Sequence, residues 1–91
     1  MSMDAEKLST KLLGELKGKV SAKKFDEVEF YDAHGEWETS IEGATLYLLD
    51  LGLNIPEEVL SFESSFIPSE VAEVKQAISA QAAVAGRKLL P

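Results

Sequence analysis

The stretch Glu36-Trp37-Glu38-Thr39-Ser40-Ile41-Glu42-Gly43-Ala44-Thr45-Leu46-Tyr47-Leu48-Leu49-Asp50-Leu51 decides the fold. Trp37, Ile41, Ala44, Leu48 and Leu51 recur at intervals of 4, 3, 4 and 3 residues, which is one stripe of an α-helix. Leu46, Tyr47 and Leu49 add apolar surface on its other sides. A helix that is apolar nearly all round is buried, so this segment reads as the central helix of a domain, ended by Gly52. Its stripe makes Trp37 a core residue; an anchor for a partner is the other reading of the same position.

Working outward from it, Asp4 to Lys17 reads as a helix. Leu8, Leu12 and Leu16 share a face, Asp4 suits the N-cap, and Gly18 suits the residue just past the end. A second helix starts at Ser21, with Val20 and Phe25 placed to form a hydrophobic staple. The segment from Val28 to Thr39 admits two readings, a helix–turn–helix or a β-hairpin around Gly35. The helical one is preferred because the segment after it is so clearly a helix. Downstream, Asn54-Ile55-Pro56-Glu57-Glu58 and Ile67-Pro68-Ser69-Glu70 are two helix starts. Val59, Leu60, Phe62 and Phe66 give a short fourth helix its core contacts. Val71, Val74, Ile78, Ala82, Ala85 and Leu89 stripe a final one. The expected fold is all-α, a compact bundle of four to five helices. The second and third form a hairpin around Gly35, in one domain spanning residues 1–91 with a frayed tail at 87–91.

The net charge is −7, and its placement says more than its size. Between Phe25 and Val74 lie thirteen carboxylates and no Lys or Arg; all nine basic residues fall outside that span. Direct binding of nucleic acid is not expected, because phosphate contacts need clustered Lys and Arg. Such segregation either keeps a small protein soluble or forms an interface for a basic partner. Glu38 with Glu42, and Glu29 with Asp32, are like-charged neighbours at helical spacing, each costing a few tenths of a kcal/mol. Retaining them points to the interface. The chain has no cysteine, which removes disulfides, thiolate metal sites and a cysteine nucleophile. Neither a secretory leader nor an apolar run of membrane-spanning length is visible, so a cytoplasmic protein is expected.

Few residues suggest catalysis. Asp32, His34 and Glu36 alternate around Gly35, but three ligand-type residues in one acidic turn fit a solvated turn better than a metal centre. His34 beside Asp32 lacks a serine in a nucleophile elbow, and Gly14-Glu15-Leu16-Lys17-Gly18-Lys19-Val20 is one residue too short for a phosphate-binding loop. A binding protein is expected rather than an enzyme, with no cofactor and no metal.

Glu29-Phe30-Tyr31-Asp32-Ala33-His34-Gly35-Glu36-Trp37-Glu38-Thr39-Ser40-Ile41-Glu42, followed by Leu46-Tyr47-Leu48-Leu49-Asp50 and Ile55-Pro56-Glu57-Glu58-Val59, resembles a known pattern. It is similar to the MafI-type small helical immunity proteins of bacterial polymorphic-toxin and contact-dependent inhibition systems. Gly35-Glu36-Trp37 is the sharpest part; Ser40 stands where that pattern usually has Ala, and the Ala-rich last helix lies outside it. The resemblance implies an immunity protein that binds and neutralises a cognate toxin, often a nuclease, whose phosphate-holding surface is basic. The residues expected to meet it are Asp26, Glu29, Asp32, Glu36, Glu38 and Glu42, gathered by the hairpin. The protein is expected to be a monomer, with no membrane partner. The alternative is an acidic helical adaptor or regulatory protein that blocks a nucleic-acid-binding partner by charge mimicry.

Overall fold

The computed structural model describes residues 4–88 and is an all-α bundle. Its elements are α1 (Ala5–Leu16), α2 (Ala22–Ala33), α3 (Trp37–Asp50), a 3-10 helix (Glu57–Ser65) and α4 (Pro68–Lys88). No strand occurs among the described residues, so the hairpin alternative for 28–40 is set aside in favour of two helices joined at Gly35. Local chemistry sets the boundaries. Asp4 accepts a hydrogen bond from the Lys7 N–H at 2.9 Å, and Ser21 accepts one from the Lys24 N–H at 3.3 Å. Gly35 turns the chain from α2 into α3 at φ +75°, a left-handed conformation that side chains with a Cβ resist. Glu70 caps α4 by accepting from the Ile67 N–H at 3.1 Å.

The core is α1 laid along α3. Leu8, Leu12 and Leu16 meet Ile41, Ala44 and Leu48 in one cluster, all without solvent exposure. Val28 of α2, Ile55, Val59, Phe66 and Val74 of α4 complete it. At Gly43 a Cβ would lie 3.6 Å from Val28 Cγ2, an ordinary packing distance, so Val28 of α2 sits against α3 there. Glutamine 81 holds the linker before the 3-10 helix. Its Oε1 accepts from the Ile55 N–H at 2.7 Å and its Nε2 donates to the Ile55 carbonyl at 3.0 Å, satisfying both backbone groups with one amide.

Three expectations need correction. Trp37 is only half-buried and lies outside the core cluster, because its stripe outruns its neighbours. Ile41, Ala44 and Leu48 are covered, whereas Trp37 at one end and Leu51 at the other are not. The fourth helix is a 3-10 segment that breaks at Phe62 (φ −116°, ψ 25°). Finally, α4 runs through Gly86 to Lys88. Of the expected tail, residues 87 and 88 are therefore helical, and 89–91 lie outside the described residues. Ala82 and Ala85 are exposed, so only the first half of the α4 stripe serves the core.

The interior holds one polar node. Ser9 Oγ lies 2.6 Å from Asp32 Oδ1 and 2.7 Å from Ser40 Oγ. A carboxylate oxygen only accepts, so Ser9 spends its single proton on Asp32 and accepts from the Ser40 hydroxyl. The relay ties α1, α2 and α3 together at one level. Thr45 is its opposite, a fully buried residue whose Oγ1 has no hydrogen-bond partner. Two buried hydroxyls should therefore respond with opposite signs. Ser9→Ala, which strands Ser40 and Asp32, should lower stability by about 1–3 kcal/mol; Thr45→Val, which removes an orphaned group, should raise it by about 1 kcal/mol. Urea midpoints at unchanged m-value measure both.

Candidate acidic binding face

The structure scatters the six carboxylates expected to bind a partner. Asp26 and Glu29 are exposed on α2, and Glu36 and Glu38 are exposed where α3 begins. Glu36 and Glu38 border a shallow depression that Trp37 also lines, beside Ala5 and Gly35. Asp32 points inward to Ser9 and belongs to the interior node. Glu42 sits on the side of α3 that faces α4, against Glu70. The hairpin thus brings four of the six to the outside around its turn, and commits the other two to contacts within the fold.

Phe30 is the feature that the sequence reading missed. It is 55% exposed, on the side of α2 opposite Val28, with Asp26 and Glu27 one turn before it and His34 one turn after. Its ring stacks on the His34 ring at 4.2 Å between centroids and meets Tyr31 edge-on at 5.6 Å. His34 is itself pinned, with Nδ1 2.7 Å from the Phe30 carbonyl oxygen. A carbonyl only accepts, so Nδ1 carries the hydrogen. A lone exposed apolar side chain is ordinary. An exposed aromatic ring held by a neighbour, among unpaired carboxylates, is not. The signal was available in the sequence, since Phe30 falls two positions from Val28 and off the Phe25–Val28–Tyr31 face.

Electrostatics single out the same region. The ion pairs among the described residues are Lys11–Glu58 at 3.5 Å and Lys75–Glu63 at 3.3 Å, and neither involves a carboxylate of α2 or α3. The Lys24 ammonium lies over the Tyr47 ring at 5.5 Å rather than against an acid. Asp32, His34 and Glu36 diverge: one goes to Ser9, one to its own helix, one to solvent.

The Glu42–Glu70 contact has a pH signature. Burial, then a hydrogen bond to Glu70, then the Glu70 charge raise the Glu42 pKa above its ordinary 4.5. A carboxyl that holds its proton more tightly when folded destabilises the fold above the raised pKa, and this penalty fades as pH falls through it. Glu42→Gln should therefore melt at a higher temperature than the parent at neutral pH. The gap should close as pH drops toward 4.5 and be absent below it, as thermal melts across that range measure.

Comparison with protein-family models, with curated proteins and with solved structures found no match to this chain, so the reading of this face rests on its own geometry.

Proposed function

We propose that the chain is an immunity-type binding protein that captures and neutralises a basic protein toxin of nuclease type, using the outer face of α2 and the Gly35 turn. The observation that carries this reading is Phe30, exposed and stacked on His34 between unpaired Asp26, Glu27 and Glu29. Interfaces draw most of their energy from a few aromatic or Arg anchors, ringed by groups that set specificity. A ring already held in place costs less to immobilise on binding. The surrounding carboxylates accelerate encounter with a basic surface and disfavour acidic competitors. A nuclease must be basic where it holds phosphate, so an acidic face with an aromatic centre suits that path. The half-buried Trp37, with Glu36 and Glu38, extends the face beyond the turn. The resemblance of residues 29–59 to the MafI-type pattern supports the same partner class.

The test is co-expression with the product of the gene directly upstream in the parent genome. That product should arrest growth alone, and the chain should restore growth and co-purify with it; a harmless neighbour, or arrest without rescue, contradicts the proposal. Two variants locate the interface. Phe30→Ala should melt like the parent but bind the toxin about 30-fold or more weakly, the loss expected of an anchor worth about 2 kcal/mol. Joint reversal of Asp26, Glu27 and Glu29 to Lys should slow association about tenfold or more at low salt, and flatten its salt dependence, in stopped-flow measurements.

A further inference from the structure

Phe30 follows Asp26 by four residues and Glu27 by three, and His34 follows Phe30 by four. That spacing sets all four along one side of α2 and its C-cap, and all four are exposed. Helical side chains lean toward the N-terminus of their helix, so His34 reaches back over Phe30, and Phe30 reaches back toward Asp26 and Glu27. The His34 ring stacks on the Phe30 ring at 4.2 Å between centroids and 33° between planes. Its Nδ1–H donates to the Phe30 carbonyl at 2.7 Å, which holds the stack in place. Tyr31 meets Phe30 at 83°, and more than half of Phe30 stays open to solvent. The ring is thus backed by an imidazole toward the Gly35 turn and bordered by two carboxylates on its other side.

The chemistry of this set selects its occupant. An aromatic ring attracts a cation through its quadrupole, and a carboxylate accepts the cation's hydrogen bonds. The molecule already seats one cation on a ring, the Lys24 ammonium at 5.5 Å from the Tyr47 centroid. Asp26 and Glu27 enter no ion pair among the described residues. An apolar side chain laid on Phe30 would strip water from these carboxylates without replacing it. An ammonium would pair with them but is compact and strongly hydrated. A guanidinium is planar and weakly hydrated, so its face can stack on a ring while its edge donates to a carboxylate. We propose, resting on the toxin reading of this face, that Phe30, Asp26 and Glu27 form a receptor for one arginine of the partner. The guanidinium stacks on the part of the Phe30 ring that His34 leaves open and donates to Asp26 or Glu27. Arginine is also the side chain best shaped to hold phosphate, so seating it here withdraws it from a nuclease's substrate.

Acetylated and amidated hexaarginine and hexalysine peptides, equal in length and charge, are the probes, titrated by NMR in about 0.15 M salt to screen long-range attraction. The parent should bind hexaarginine about fivefold or more tighter than hexalysine, with the Phe30 and His34 ring signals moving. Phe30→Leu, which stays apolar but has no π face, should lose most of that preference, and Phe30→Tyr should keep it, both with unchanged circular dichroism spectra. Joint Asp26→Asn and Glu27→Gln should weaken hexaarginine binding more than Asp50→Asn and Glu57→Gln, which remove the same charge from exposed positions elsewhere. Equal binding of the two peptides by the parent overturns the proposal. So does a preference that survives Phe30→Leu, or the same loss from the distant pair of acids as from the near one. The peptides need no toxin, so the two readings fail separately: a chain that rescues growth from the upstream gene product but shows no arginine preference keeps the toxin reading and overturns this one.

Discussion

The contact on which the rest of the molecule depends is the packing of α1 along α3. Leu8, Leu12 and Leu16 lie against Ile41, Ala44 and Leu48, and none retains any exposure. Each such leucine removed from water contributes about 1.5–3 kcal/mol, a large share of the net stability of a domain this small. With α1 on one side of α3, the remaining helices can only take what is left. α2 closes on the Gly43 side through Val28, and the 3-10 helix and α4 cover the remainder.

This arrangement determines where charge can go. α2 buries one narrow face through Val28, so most of its carboxylates have no choice but solvent. Asp32 is the exception, and it enters because Ser9 and Ser40 supply a hydrogen-bonded relay for it. A buried carboxylate without such partners would cost several kcal/mol. The acidic exterior is thus the surface left once the interior has chosen its residues. Among the described residues the carboxylates of α2 and α3 make no ion pair, and that, rather than charge alone, is the ground for proposing an interface there. Glu42 opposite Glu70 shows that the fold tolerates like charges where two helices meet, at a cost that depends on pH.

Much of the fold was legible because local chemistry leaves local marks. Asp4, Ser21, Gly18, Gly35 and Pro68 announce helix ends within a few residues, and the leucine spacing of α1 and the apolar surround of α3 announce what is buried. What could not be read depends on partners distant in sequence. Asp32 looks like any exposed acid until Ser9, 23 residues earlier, is placed beside it. Glu42 looks free until Glu70 arrives, and Gln81 looks like a polar surface residue until it clamps Ile55. Trp37 follows the helical period faithfully, but periodicity shows only which way a residue faces, not whether a neighbour reaches far enough to cover it. Phe30 was overlooked for the converse reason, since it lies off the apolar face of α2 and a residue off that face draws no packing assignment from periodicity.

The central claim is that a basic toxin is met by the outer face of α2 and the Gly35 turn. The most direct measurement is a two-dimensional amide NMR titration of the labelled chain with the upstream gene product. The account predicts that the largest changes fall on residues 26–38, with Phe30, His34 and Trp37 among them, while the Ser9, Ile41 and Leu48 amides of the α1–α3 core stay in place. Changes confined to the 3-10 helix and α4, with residues 26–38 unmoved, would contradict it and place the binding surface on the other half of the bundle.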